Sequence, residues 1–422
     1  MKHPVVVAGC GVAGAVAGLT ALNHGMDVTI IEKMKKESIG NKVCGELTTQ
    51  KVVTWLKNEF NISIPSYPLK GLEIRISSGH SVYVSKRLCT VDRHEMGQAL
   101  VNTLMDSGAH ILFETVKAPV GTHSVRGVKT NASVIDSAVT VDCTGVASVL
   151  RRKFTVQPET FGLAYKEIAV LKEPINTEYA ILIFDKTIIP SGYMWCFPKD
   201  EYTVNVGAGG LTRGRENYKK KLEKALDTLG ISIKTRKSPG LGVIPLGPPL
   251  PNLVYPGLLV CGDAAYHVNP LTGEGIAPAV TAGYFAGKTA VSTGGTATVD
   301  TMWQYNIDFA QTYGIKHAPL KTAQNVLVSL SDKELTYLVE HIITGDDLAH
   351  LIKGKTPGKD SPTWLNLMKS RRFLKTLKKP SLSYKAVSMF QKMKTIKHHY
   401  EKYPETPDKF PAWKKMLSMY MD

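Results

Sequence analysis

The chain has 422 residues, 43% of them hydrophobic, and a formal charge of +16 from 52 Lys and Arg against 36 Asp and Glu. This length and composition suit two or three domains with real cores. No run of 18 apolar residues occurs, so no transmembrane helix is expected. The first strand-like run starts at Pro4, too early for a signal peptide, and the expectation is a cytoplasmic protein that can touch a membrane face without crossing it.

Cys10, Cys44, Cys89, Cys143, Cys196 and Cys261 stand singly, with no spacing that suggests zinc. No metal site is expected. The charge is uneven. Between Lys369 and Lys402 there are eleven Lys or Arg and one acid, Glu401. Such a patch serves an anionic membrane surface, an acidic substrate or solubility. No nucleic-acid motif accompanies it, so nucleic acid is not expected as a partner.

In chain order, Pro4 to Ala8 reads as a strand, Ala13 to His24 as a helix, and Asp27 to Ile31 as a second strand ending at Glu32. Met96 to Asp106 is helical, His110 to Phe113 a strand, and Ser133 to Asp142 further strands. Short β-rich runs (Gly71 to Ile76, Ser81 to Val84, Ala180 to Phe184, Gly192 to Phe197, Tyr202 to Ala208) predict an antiparallel sheet. Pro239 to Pro256 reads as a connecting loop, Leu258 to Cys261 as a buried strand, and Gly275 to Ala290 as a helix. From about Asp300 the pattern is helical and polar. The fold class is therefore α/β (α+β). A Rossmann-like nucleotide-binding domain (1–65, 86–155 and 252–299) carries an inserted antiparallel-sheet domain (66–85 and 156–251) and a helical, basic region (300–422).

The first strand runs into Gly9-Cys10-Gly11-Val12-Ala13-Gly14. Each glycine of this GxGxxG has a physical role. Gly9 permits the tight turn, Gly11 lets backbone approach a pyrophosphate, and Gly14 lets the helix pack close. The helix N-terminus, with Ala13 in its first turn, offers free N–H groups to phosphate. Glu32 can accept ribose hydroxyls. This fingerprint does not choose between NAD and FAD.

A second string does. Gly262-Asp263-Ala264-Ala265 closes a strand, and Asn269-Pro270-Leu271-Thr272-Gly273-Glu274-Gly275-Ile276 leads into a helix whose N-terminus can face an electron-rich ring. With Lys42-Val43-Cys44-Gly45-Glu46, Val91-Asp92-Arg93, and Tyr193-Met194-Trp195-Cys196-Phe197-Pro198 followed by Gly207-Ala208-Gly209, the chain resembles the geranylgeranyl reductase family of p-hydroxybenzoate hydroxylase-type FAD-dependent oxidoreductases. The likeness covers roughly Pro4 to Ala290. Leu47 stands where the family usually has Gly, and Asp142-Cys143-Thr144-Gly145 replaces its commoner Ala-Asp-Gly.

The resemblance implies FAD as cofactor, held by Gly9, Gly11, Ala13, Gly14, Glu32, Lys42, Cys44, Gly45, Arg93, Gly262, Asp263, Pro270, Gly273, Gly275 and Ile276. It implies an isoprenoid lipid substrate lined by Tyr193, Trp195, Phe197, Pro198, Gly207 and Gly209. The implied activity is saturation of isolated C=C bonds in geranylgeranyl chains, with NAD(P)H or a ferredoxin as electron donor. Cys44 is expected beside the flavin, as proton source or as tuner of the ring's surroundings. Glu46 is a second candidate acid, or an orienting partner. His94 and His267 are left unassigned. Strand alternation puts Tyr193, Trp195 and Phe197 on one face and Met194 and Cys196 on the other, so one set must pack elsewhere. The rival readings are a flavin-dependent monooxygenase or halogenase on the same scaffold, and a non-catalytic flavin-binding lipid carrier.

Overall fold

The computed structural model describes residues 5–155, 160–211, 216–352 and 378–421. β1 (Val5–Ala8) is buried on both faces, as a parallel strand covered by helices on either side must be. It pairs in parallel with β2 (Val28–Ile31) and β10 (Val139–Asp142). With β6 (His110–Leu112), β16 (Val254–Tyr255) and β17 (Leu258–Val260), the sheet runs β16-β17-β10-β1-β2-β6. Helices α1 (Val12–Asn23), α2 (Gln50–Phe60) and α3 (Arg93–Asp106) come from this part of the chain, α4 (Tyr218–Thr228) from the middle, and α5 (Ile276–Ser292) from the return. Small residues let α1 and α5 lie against each other: a Cβ on Gly283 would stand 2.3 Å from the Ala13 carbonyl oxygen.

The second sheet has eight strands in the order β15-β11-β14-β13-β12-β4-β5-β3. They are β3 (Leu47–Thr49), β4 (Ser66–Ile76), β5 (Ser81–Val91), β11 (Phe161–Leu171), β12 (Tyr179–Phe184), β13 (Gly192–Pro198), β14 (Thr203–Leu211) and β15 (Ile233–Pro245). A small third sheet joins β7 (Val116–Val120), β8 (Gly127–Thr130) and β9 (Val134–Asp136). Residues 299–352 form α6 (Val299–Met302), α7 (Gln304–Phe309), a π-helical turn (Ala310–Gly314), α8 (Ile315–Ser329), α9 (Asp332–His341) and α10 (Gly345–Ile352). Then come α11 (Pro380–Tyr400) and α12 (Phe410–Met421).

Three expectations need correction. The large sheet is mixed, because β4 and β12 pair in parallel. Two separate chain segments meet there, each antiparallel within its own hairpins. The stretch from Pro239 is not all loop, since β15 runs on to Pro245. Pro239 is tolerated because β15 is an edge strand whose register with β11 shifts at this point, with Ser238 at φ 49°. Ser133 to Asp142 splits into β9 and β10, which belong to different sheets.

One face of the large sheet packs on α4, where Met194, Cys196, Val206 and Ala208 meet Tyr218 and Leu222. The other face is shared. Near β13 it meets the cofactor-type loops, and near β4 and β5 it meets the C-terminal helices, with Ile76 and Val82 against Leu335, Val339 and Leu382.

Candidate cofactor and lipid site

The site starts where β1 meets α1. Gly9 has φ 109°, and a Cβ on Gly14 would lie 1.9 Å from the Gly9 carbonyl oxygen, so turn and helix can close only around glycines. A Cβ on Gly11, by contrast, would meet nothing within 4 Å. The helix end thus faces open space, the cradle that a pyrophosphate needs. Gly262 brings its turn to 3.1 Å from the Ala13 side chain, measured from an added Cβ. Glu32 is 8% exposed and accepts hydrogen bonds from the Cys10 and Met34 N–H groups at 2.7 and 2.8 Å. These fix its carboxylate at the end of β2 and leave lone pairs for ribose hydroxyls.

Arg93 opens α3, which Asp92 caps by accepting from the His94 and Glu95 N–H groups. The Arg93 side chain is buried, yet its Nη1 has no protein partner. A buried guanidinium nitrogen without an acceptor is costly. Its donor and the open cradle at Gly11 both fit an anionic, oxygen-rich cofactor such as FAD. Lys42 and Asp263 pair at 2.5 Å, so the cofactor-side roles expected of them are shared with an ion pair.

The segment from Lys42 to Glu46 crosses the face of the large sheet. Val43 lies over β15, next to Gly240 and Gly242. The Cys44 carbonyl accepts from Asn205 Nδ2 at 2.9 Å, and Gly45 sits against the Phe197 ring. Glu46 takes a left-handed φ of 63° and is 5% exposed. Its Oε1 accepts from the Arg93 N–H at 3.1 Å, and its Oε2 from Lys199 Nζ at 2.7 Å and Asn205 Nδ2 at 3.2 Å. Its own N–H donates to Cys44 Sγ at 3.3 Å. Asn205 Oδ1 accepts from Trp195 Nε1 at 2.9 Å. Trp195, Asn205, Glu46 and Lys199 therefore form one chain of hydrogen bonds that fixes the Cys44 loop.

Strand β13 resolves the alternation. Met194 and Cys196 pack toward α4, while Tyr193, Trp195 and Phe197 face the loop. Gly207 makes room for this, because a Cβ there would stand 2.0 Å from the Trp195 ring. The three aromatics, Cys44, Gly45, Gly273, Gly275 and Ile276 line one cavity. Pro198 points its carbonyl at Thr90 Oγ1, 2.6 Å away, and does not line this cavity; Gly209 lines a smaller neighbouring one. Leu182, Tyr193, Thr272 and Ile352 are shared with a second, almost wholly apolar chamber. That chamber lies between β4, β12 and the helices α8 to α11, which supply Val326, Leu338, Val339 and Phe390.

The loop before α5 is braced from behind. Tyr193 donates to the Thr272 carbonyl at 2.5 Å, and desolvation, with Cys44 nearby, pushes its phenol up to about 12. Gln324 Nε2 donates to the Pro270 carbonyl. His317 Nδ1 lies 3.1 Å from the His267 carbonyl. Both histidines are buried. Desolvation holds His317 at about 3 and His267 well below the usual imidazole range, so both are neutral braces and not acid–base groups. His267 also stacks on Phe309 at 3.8 Å. Lys86 stands 3.8 Å from Glu274 at the cavity wall.

Sequence reading overlooked Asn205, Lys199, Gln324 and the whole helical wall. Asn205 carried a usable signal, a lone amide in an otherwise apolar strand. Of the basic stretch, residues 369–377 lie outside the described residues. In the described part, Lys385 pairs with Glu334 and Lys392 donates to the Met421 carbonyl, while Lys394 and Lys402 are exposed. No helix of the described residues is long and apolar enough to cross a membrane.

Residues 4–153 match the FAD dependent oxidoreductase family and residues 161–238 the geranylgeranyl reductase catalytic domain. The digeranylgeranylglycerophospholipid reductase of Sulfolobus acidocaldarius is 28% identical, aligned over 98% of this chain and 96% of that protein. The Methanothrix thermoacetophila protein of the same name is 25% identical over 83% of this chain and 94% of its own. In fold, a geranylgeranyl bacteriochlorophyll reductase-like protein from Thermoplasma acidophilum superimposes with a TM-score of 0.74 at 20% identity, covering 92% of this chain and 99% of that one. A flavin-dependent brominase gives 0.64 at 14% identity, covering 84% and 94%, a likeness of scaffold alone. The chain thus carries a match to a FAD dependent oxidoreductase domain followed by a match to a geranylgeranyl reductase catalytic domain, and it is similar along nearly its whole length to digeranylgeranylglycerophospholipid reductases.

Proposed function

We propose that this protein saturates the isolated C=C bonds of geranylgeranyl chains carried by a prenylated glycerophospholipid. The observation that carries the reading is the almost wholly apolar chamber, walled by Ile74, Leu182, Val326, Val339 and Phe390, that meets the cofactor-side cavity at Tyr193 and Thr272. A long hydrocarbon fits such a space, whereas a small aromatic substrate has no use for it. Burial is worth about 0.8 kcal/mol per CH₂, so chain length itself is a source of affinity.

An isolated trisubstituted alkene has no electron-withdrawing group, so reduction needs a proton on one carbon and a hydride on the other. FAD, when bound and reduced, supplies the hydride. The protein itself must hold the alkene, exclude water and deliver the proton. Trp195 and Phe197 form the apolar floor of the cavity. Cys44 Sγ holds the proton. The Glu46 N–H at 3.3 Å stabilises the negative charge that grows on sulfur as the proton leaves. Glu46 itself is a positioning residue, since both its oxygens are engaged by Arg93, Lys199 and Asn205.

NAD(P)H or a ferredoxin supplies the electrons. Anaerobic bleaching of the flavin by one and not the other identifies the donor. The exposed lysines Lys394 and Lys402 support contact with an anionic membrane surface, which vesicle flotation with and without phosphatidylglycerol tests. For the chemistry, Cys44→Ala is expected to keep bound FAD and lose at least ten-fold in alkene reduction. Undiminished turnover would remove Cys44 from the mechanism. Turnover that requires oxygen would favour the monooxygenase or halogenase reading.

A further inference from the structure

A third, smaller cavity adjoins the other two. Tyr193 and Gly273 also line the cofactor-side cavity, and Phe184, Leu271 and Leu327 also line the apolar chamber. This third space therefore opens on the route that a prenyl chain takes. Among the described residues its lining contains no Asp or Glu.

Two lysines sit at it. Lys186 is part of the wall, and its Nζ donates to the carbonyls of Leu327 at 2.6 Å, Val328 at 3.2 Å and Pro190 at 3.2 Å. Lys321 stands just behind the wall, bonded to two lining residues: the Gln324 side-chain oxygen and the Leu246 carbonyl at 3.4 Å. Among the described residues neither lysine has a carboxylate within 4 Å. The lysines of the neighbouring loops differ, as Lys42, Lys86 and Lys199 pair with Asp263, Glu274 and Glu46.

The two are not equal. Lys186 spends part of its charge on the last carbonyls of α8, and Asp332 lies nearby, accepting from the Lys186 N–H at 3.4 Å. Glu334, the next acid, is engaged by Lys385. Lys321 has neutral oxygens only. Desolvation, with no compensating acid, lowers its ammonium to about 8, as befits a half-buried cation lacking a counter-ion. A cavity with no acid among its described lining, with Lys186 in its wall and Lys321 bonded to two of its lining residues, continuous with an apolar chamber, matches an amphiphile with an anionic end.

We propose that this cavity takes the phosphate ester at the polar end of the prenyl lipid, held chiefly by Lys321 with help from Lys186, while the chain passes Tyr193 toward Cys44 and the apolar chamber. This rests on the prenyl-reductase reading and adds the recognition of the headgroup to it. Charge-assisted contacts to phosphate of this kind separate charged from neutral ligands by roughly ten-fold or more.

The test compares digeranylgeranylglyceryl phosphate with digeranylgeranylglycerol as substrates of the FAD-loaded, dithionite-reduced full chain. Wild type is expected to favour the phosphate ester by about ten-fold or more in kcat/KM. Lys321→Met should cut that preference at least five-fold, Lys321→Arg should restore most of it, and Lys186→Met should have the smaller effect. A structural role for Lys321 would lower both substrates alike and leave the ratio intact, which would overturn the proposal. Equal use of the two lipids by wild type would overturn it too, with the reductase reading standing. Failure on both lipids would remove the reductase reading and this inference together. Inorganic phosphate serves as the control. Competition only at concentrations far above the lipid's KM supports a headgroup site, and inhibition as tight as the lipid's own binding makes this a free-anion site and overturns the assignment.

Discussion

Asn205→Leu probes the hydrogen-bond chain that holds the Cys44 loop. Asn205 is fully buried and joins Trp195 Nε1, the Cys44 carbonyl and the Glu46 carboxylate at 2.9, 2.9 and 3.2 Å. Leucine keeps the volume, so little cavity cost arises. It leaves the indole N–H and the Cys44 carbonyl without partners, at roughly 1–3 kcal/mol each. Glu46 keeps Lys199 and Arg93. The total is about 2–6 kcal/mol, and at roughly 1 °C per kcal/mol for a chain of 422 residues the apparent Tm should fall by roughly 2–6 °C. The cofactor cradle at Gly11 lies on another sheet, so FAD should stay bound while alkene reduction drops at least ten-fold. The assay is thermal unfolding followed by flavin fluorescence, paired with lipid turnover on the same preparation. An unchanged Tm and full turnover would show that this chain does not hold the loop.

Three further predictions follow from single residues. Gly11→Val should leave the apo protein's stability within about 0.5 kcal/mol of wild type, since its Cβ meets no protein atom, yet weaken FAD binding at least ten-fold; flavin titration and apo-protein melting read the two effects. His317, at about 3, and His267, also lowered, bind fewer protons folded than unfolded between their folded values and about 6.5. Stability should therefore be full above about pH 6.5 and fall as pH drops, by about 1.4 kcal/mol per pH unit for each, and His317→Gln should remove one such increment in melts from pH 6 to pH 4. Val339→Asp puts a charge in the apolar chamber and should abolish turnover of C20 chains while dithionite still bleaches the flavin at the wild-type rate, as stopped-flow absorbance would record.

Local signals carried much of this account. The GxGxxG turn, its helix and Glu32 are contiguous, and glycine is required at Gly14 by a backbone contact that sequence spacing alone implies. Five strands of the large sheet were legible from alternation, and the face of Trp195 and Phe197 followed from period two. What could not be read is what pairs across long separations. β15 is rich in Lys, Gly and polar residues and looks unlike a strand until it pairs with β11 along one edge. The parallel junction of β4 and β12 depends on two segments about 100 residues apart. Glu46 looked like a candidate acid because its partners, Lys199 and Asn205, lie some 150 residues away. The helical wall of the chamber has no motif, because apolar lining needs only bulk and spacing, which Leu, Val and Ile meet in many orders.

The central claim is that this protein adds hydrogen to prenyl alkenes, and the mass of the lipid after anaerobic turnover tests it most directly. FAD-loaded protein, reduced with dithionite and mixed with digeranylgeranylglyceryl phosphate, should yield lipids heavier in steps of about 2 Da, one per bond saturated. A lipid of unchanged mass in the presence of bound, reduced flavin, with prenyl diphosphates and prenylquinones equally inert, would contradict the account and leave a flavin-binding lipid carrier or an oxygen-using enzyme in its place.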